Sequence, residues 1–248
     1  MEASPLGSVD KALLALDTLA GFGAAGASLS VLAASVGVSK PTLHRTLAAL
    51  RHRGYAEQTP DGAYRLGPSA LALGSSYLAE ENLPALLHPA LTALSARVDE
   101  LVHLGVLAGR EVVYLDKVEP QRAVRVWSAV GRRRAAATTA LGRALLSVQE
   151  LDEAALDRFA GTDTSVDRLR DALAGARTRG VADETEENEA GIACIAVPLL
   201  RAGRAVAAVS ITAPVERLRG AARAERVAAL REVLPGLLPA GLTVPEMG

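Results

Sequence analysis

The sequence predicts an α+β protein: an N-terminal winged helix-turn-helix unit, a linker helix, and a larger C-terminal antiparallel sheet with helices on its faces. Three observations predict it. Apolar residues recur at three- and four-residue spacing up to residue 52. Asp61-Gly62 then stands between two short strand-like runs, which marks a hairpin. Further along, strand-like runs are grouped on either side of a block of helices instead of alternating with them, the pattern of an α+β sheet. The boundaries expected are 1–67 for the small unit, 68–81 for the linker helix and 82–248 for the sheet.

Ser8 is read as the cap of a first helix with an apolar stripe of Val9, Ala12, Leu13, Leu16, Leu19 and Ala20, closed by Gly21 and Gly23. Ser30 caps a short second helix with Leu32, Ala33 and Val36 inward, and Gly37 supplies a left-handed residue at its end. Ser39 caps the third, where Pro41 is tolerated because a first-turn N–H has no helical partner. Leu43, Leu47 and Leu50 lie within about 60° of one another around that helix and form its buried stripe.

The opposite side carries the chemistry. Pro41, Arg45, Ala48 and His52 point outward, Thr42 and His44 flank them, and Lys40 sits near the helix start. Such a helix fits a major groove, where Arg reads guanine edges and a helix N-terminus accepts phosphate. No Asp or Glu occurs from Thr18 to Ala56, so this is a local basic patch in a chain whose formal net charge is only -1. The hairpin formed by the runs Tyr55 to Gln58 and Ala63 to Leu66 is the wing, with Arg65 placed to meet phosphate. The candidate DNA contacts are therefore Ser39, Lys40, Pro41, Thr42, His44, Arg45 and Arg65.

After a helical Pro68 to Leu78 and the linker end at Glu80-Glu81-Asn82, a helix capped by Asn82 is expected to run to about Val98. Pro84 and Pro89 should kink its first turns or delay its start. Leu101 to Leu107, Glu111 to Val118 and Ala123 to Ser128 read as a three-stranded meander. Helices follow at Thr139 to Val148, Asp152 to Phe159 and Val166 to Arg179, then strands at Ile192 to Leu200 and Ala205 to Thr212. A closing helix from about Val215 to Leu234 presents Leu218, Val227, Leu230 and Val233.

Composition narrows the class. Half of the 248 residues are hydrophobic but only 3% aromatic, a globular, helix-rich balance. The longest apolar run, Ile192 to Leu200, is well short of the roughly 18 to 20 residues of a spanning helix, so no membrane partner is expected. Met1 to Ser8 is polar and carries Glu2, unlike a signal peptide, and the expected location is the cytoplasm. One cysteine and four scattered histidines lack metal-ligand spacing, and no cofactor is expected. No Gly-x-Ser-x-Gly turn or glycine-rich phosphate loop appears, so an enzyme is the rival and not the expectation.

Taken together, Val38-Ser39-Lys40-Pro41-Thr42-Leu43-His44-Arg45-Thr46-Leu47, Gly54-Tyr55, Tyr64-Arg65-Leu66-Gly67, Thr139-Ala140-Leu141-Gly142-Arg143-Ala144-Leu145-Leu146 and Gly191-Ile192-Ala193-Cys194-Ile195-Ala196 resemble the IclR family of bacterial regulators. The resemblance covers about Ser8 to Leu238. It implies that the C-terminal unit is a GAF-like effector-binding domain whose pocket lies at Ala140, Leu141 and Gly142, with Glu184, Cys194, Ser210 and Thr212 opposite. The residues agree with this: Ser210 and Thr212 alternate with Ile211 and share a strand face, and Cys194 lies on the preceding strand. Peptide N–H groups at the start of the Thr139 helix can hold an anion. The run Gly131-Arg132-Arg133-Arg134-Ala135-Ala136-Ala137 departs from the family pattern and could draw an acidic ligand to the site, although surface arginines are more often solvated.

The function expected is a transcriptional regulator, a repressor sooner than an activator, acting as a homodimer or homotetramer on an approximately palindromic double-stranded DNA operator. Its small-molecule effector is expected to be an organic or aromatic acid. The alternatives are a small-molecule-binding enzyme and a metabolite sensor without DNA binding.

Overall fold

The computed structural model of the chain describes residues 7–80, 82–122, 126 and 128–245, the side chains of 76–80 excepted. It divides into two compact units, 1–82 and 83–248.

In the first unit α1 (Gly7–Phe22), α2 (Leu29–Val36) and α3 (Lys40–His52) precede the hairpin strands β1 (Ala56–Gln58) and β2 (Tyr64–Leu66), and α4 (Pro68–Glu80) follows. Leu19, Leu32, Leu43 and Leu47 are almost wholly buried in one core with Ala15, Ala33, Ala56 and Tyr64. Each buried leucine contributes about 1.5–3 kcal/mol, enough to order short helices that would not be stable alone. Three local expectations are corrected. Ser8 lies inside α1, which begins at Gly7, and Val9 and Leu13 are exposed because the stripe facing the core is centred on Ala15 and Leu19. Ser28, not Ser30, caps α2: its extended backbone lets the side chain accept from the Val31 amide. Gly37 takes the left-handed conformation (φ 73°) and turns the chain into α3, as its position implies.

The second unit is a six-stranded antiparallel sheet of order β5-β4-β3-β8-β7-β6. Its strands are β3 (Leu101–Ala108), β4 (Glu111–Val118), β5 (Arg133–Ala135), β6 (Ala182–Thr185), β7 (Ile192–Arg201) and β8 (Arg204–Pro214). One face packs on α5 (Leu83–Val98) and α9 (Gly220–Val233) through Val102, Leu104, Ile195, Val197, Val209 and Ile211. The other is covered by α6 (Ala140–Ser147), α7 (Glu153–Ala160) and α8 (Val166–Arg179). The two cores follow from period-two alternation along β8, whose residues 207–213 are all buried.

The observed elements differ from the sequence reading at several places. The helix through Pro84 and Pro89 starts at Leu83 and continues to Val98, because Pro84 occupies the first turn and burial of Leu87, Ala90, Leu91 and Leu94 holds the helix across Pro89. Of the expected strand Ala123 to Ser128, residues 123–125 and 127 lie outside the described residues. The strand on the outer side of β4 is β5, made from the arginine run; an edge strand accepts charged side chains, and Arg133 Nε–H donates to Glu111 across the pair at 2.7 Å. β6 escapes sequence reading because Ala-Asp-Glu-Thr has little strand character, and it forms as an edge on β7.

α6 has no exposed residue. A Cβ at Gly142 would fall 2.2 Å from the Ala136 carbonyl oxygen, so only glycine lets the helix start lie this close to the preceding 3-10 turn. Its one charged residue, Arg143, donates Nε–H to the Ala137 carbonyl and Nη1–H to the Asp183 carbonyl, and pairs with both Glu187 carboxylate oxygens at 2.9 and 2.6 Å. Saturating the guanidinium offsets the cost of burying it. Gly142→Ala should therefore destabilise the protein by ~1–3 kcal/mol, read from denaturant midpoints; a change within ~0.5 kcal/mol would contradict the close packing assigned to α6.

Candidate functional site

Two sets of residues are candidates for functional chemistry. The first lies on α3. Ser39 has an extended backbone, accepts from the Thr42 amide at 3.4 Å and lies 2.9 Å from the Thr42 hydroxyl, which fixes the helix start. Lys40, Pro41, His44, Arg45, Ala48 and His52 are exposed along the outer side, and Thr42 is half-buried. Lys40, Arg45, Arg51 and Arg53 make no ion pair among the described residues. The helix thus presents uncompensated positive charge at its surface.

Arg65 behaves otherwise. It lies opposite Glu57 in the hairpin ladder and bonds its carboxylate at 2.6 Å, so the wing base holds a neutral pair. Register places Glu57 beside Arg65, a pairing that sequence reasoning cannot see.

The second set lies on the α6 face of the large sheet. Ladder register sets Glu184 opposite Cys194, Cys194 opposite Thr212, and Ser210 opposite both Ala196 and His103. The strand members of the expected pocket are therefore neighbours on one face. Ala140, Leu141 and Gly142 form the first turn of the helix that covers it, and the Leu141 side chain reaches Gly105 of β3. The Thr139 hydroxyl accepts from the Gly142 amide at 3.1 Å, leaving the amides of Ala140 and Leu141 heading the turn.

A polar chain crosses this face. His103 Nε2 lies 2.7 Å from the Ser128 hydroxyl, His103 Nδ1 3.4 Å from the Thr212 hydroxyl, and the Thr212 hydroxyl 3.3 Å from Cys194 Sγ. The His103 ring also packs against Tyr114, with centroids 4.7 Å apart. Ser210 is 1% exposed, yet its hydroxyl makes no side-chain hydrogen bond among the described residues. Among the described residues the buried side-chain polar atom without a hydrogen-bond partner is Arg226 Nε, outside this face. His103, Ser128 and Tyr114 are not expected on this face from sequence: only the β3–β8 register brings His103 beside Ser210.

Burial controls the charges. Desolvation, aided by the nearby charges of Lys117 and Arg132, lowers His103 to about 3. Burial pushes the Glu184 carboxyl up, partly opposed by hydrogen bonds from Cys194 and the Glu187 amide, and pushes the Cys194 thiol and Tyr114 phenol up as well. The face is thus polar with a neutral imidazole and a neutral thiol. Nearby cations are engaged by other partners: Arg143 by Glu187, and Lys117 by Glu119 and the Ser128 carbonyl.

Below pH 6.5 the unfolded chain protonates His103 while the native protein cannot, so native stability falls as pH drops from 6.5 towards 3. The slope contributed by this residue is up to ~1.4 kcal/mol per pH unit. In His103→Gln that share of the slope should vanish; denaturation curves between pH 6.5 and 4.5 with unaltered pH dependence would refute the neutral ring.

The comparisons with known proteins agree with this geometry. The model of the IclR helix-turn-helix domain matches residues 8–60, and that of the bacterial transcriptional regulator IclR C-terminal domain matches residues 75–234. The chain is 35% identical to the HTH-type transcriptional regulator XynR of Escherichia coli over 223 residues, covering 85% of this chain and 87% of that protein. It is 37% identical to the glycerol operon regulatory protein of Streptomyces coelicolor over 235 residues, 91% and 92% of the two chains. Among solved structures, an IclR homologue from Microbacterium hydrocarbonoxydans complexed with 4-hydroxybenzoate aligns with a TM-score of 0.71 at 26% identity, covering 93% of this chain and 97% of that one. With a DNA-reading fold in one unit, a covered polar face in the other and both family domains matched, the chain belongs to the IclR family of bacterial transcriptional regulators and is not an enzyme.

Proposed function

We propose that α3 reads an operator through its exposed, acid-free side, with Ser39, Lys40, Pro41, Thr42, His44 and Arg45 as contacts, and that a small molecule held under α6 sets the affinity. The observation that carries the DNA reading is the row of outward side chains on α3 with no carboxylate partner. Arg45 lies near the middle of that row, where a side chain of its length reaches base edges, while Ser39 and Lys40 at the helix start suit a phosphate. Arg65 contributes little in this reading, since Glu57 neutralises it.

The effector occupies the face formed by Glu184, Cys194, Ser210 and Thr212 beneath Ala140, Leu141 and Gly142. Support comes from the Ser210 hydroxyl, which makes no side-chain hydrogen bond among the described residues, and from the helix start, whose amides suit the carboxylate of an organic or aromatic acid. The solved relative binds 4-hydroxybenzoate, an aromatic acid. Two copies of the chain present paired α3 helices to an approximately palindromic operator, as a homodimer or as a pair of dimers in a homotetramer. Repression is the sign assigned, because occupancy of an operator obstructs transcription without a further activating surface. For the effector to act it must bind one arrangement of the copies better, with a coupling of ~1–3 kcal/mol being typical.

Two measurements test this. Arg45→Ala should weaken binding to the DNA upstream of the protein's own gene by ~1–3 kcal/mol in gel shift and relax discrimination against unrelated duplex; an equal loss on both duplexes would make Arg45 a phosphate contact. Ser210→Ala should leave stability within ~0.5 kcal/mol of the original and remove the thermal shift produced by small carboxylates and aromatic acids that stabilise the unaltered protein. An acid that stabilises both proteins equally would move the effector elsewhere.

A further inference from the structure

The groove between α3 and the wing holds a cation that the DNA contacts assigned above leave out. Ala48, Arg51, His52, Ala56, Glu57 and Gln58 line an open cleft of about 510 Å³. Arg51 is in the last turn of α3, exposed, and its Nη1–H donates to Gln58 Oε1 of β1 at 3.1 Å. Gln58 is itself anchored, its Nε2–H donating to the Gly62 carbonyl in the wing turn at 3.1 Å. The guanidinium is therefore held between recognition helix and wing by a neutral amide. That leaves its charge intact and most of its five donors open.

The wing's own charges point the other way. Arg65 is tied to Glu57 at 2.6 Å, and Asp61 at the turn is exposed and acidic. A wing that approached DNA with Arg65 would have to break that pair, and its tip would bring a carboxylate towards phosphate. Arg51, standing beside exposed His52 and clear of any ion pair among the described residues, supplies the positive charge at this end of the helix. A duplex lying along the outer side of α3 has its sugar-phosphate strand at the helix flank, which is where this cleft opens.

We propose that Arg51, held in place by Gln58, is the backbone-phosphate contact of the helix–wing cleft, and that Arg65 serves the fold of the wing. Gln58 is a positioning residue: its amide orients the guanidinium and touches no DNA. This inference rests on the DNA-binding reading and refines which side chains perform it.

The test measures fluorescence anisotropy of two labelled duplexes, one from upstream of the protein's own gene and one unrelated, across a salt series with the full chain. Arg51→Ala should weaken binding to both duplexes about equally, by several-fold to tenfold, and reduce the slope of log affinity against log salt by about 0.9, one phosphate's worth. Arg51→Lys should restore the slope, because the charge returns. Gln58→Ala should weaken both duplexes by a smaller factor with the slope kept, and Arg65→Ala should stay within about twofold on either. Unchanged affinity and slope in Arg51→Ala, a loss confined to the upstream duplex, or a lowered slope in Arg65→Ala would each overturn the assignment. Thermal melts of the variants separate these results from unfolding. If the unaltered protein binds neither duplex at low salt, the DNA-binding reading fails, and the assignment of Arg51 with it.

Discussion

The larger unit depends on a helix that has no side facing water. α6 carries only eight residues, all buried, and it lies between the sheet and the helices α7 and α8. Such a helix must meet two conditions at once. Its backbone must come close to its neighbours, which Gly142 permits at the Ala136 contact, and any polar group on it must be satisfied internally, which Arg143 achieves through two carbonyls and Glu187. With the helix fixed, its first turn becomes a rigid roof over the strand face that carries Ser210 and Thr212. Rigidity of this kind is what a binding site requires, because a ligand that had to order its own pocket would lose affinity to the entropy of doing so.

The electrostatics of the two units contrast. On α3 the charges are exposed and unpaired, suited to a partner of high charge density whose attraction is set by salt. Beneath α6 Arg143 and Lys117 are engaged by protein groups and the imidazole is neutral, a setting suited to directed hydrogen bonds and shape. On the proposed reading, the same chain uses long-range attraction for its macromolecular partner and short-range complementarity under its roof. The first tolerates variation in geometry, while the second discriminates between molecules of similar charge.

Much of this was legible in the residues themselves. Leu43 and Leu47 at four-residue spacing, Ser39 before Pro41, Gly37 at the end of α2 and Asp61-Gly62 between short strands specify the small unit nearly residue by residue, because their causes are local. Glu111 to Val118 and Val166 to Arg179 also fell within their observed bounds. What could not be read is what depends on register and on distant pairing. The Glu57–Arg65 bond, the place of His103 beside Ser210 and the strand made from Arg133 to Ala135 each arise from which residues come to lie opposite one another. Cap positions fell between these cases: Ser28 and Ser30 are equally good caps by type, and the extended backbone of Ser28, whose side chain accepts from Val31, marks the one that starts α2.

The division of labour between roof and floor bears on how such a protein can change over generations. The roof is intolerant, since a single added carbon at Gly142 meets backbone. On the floor, Ser210 is buried but makes no side-chain hydrogen bond among the described residues. On the proposed reading of this face, an exchange at Ser210 alters which molecule is held while the roof is inherited unchanged.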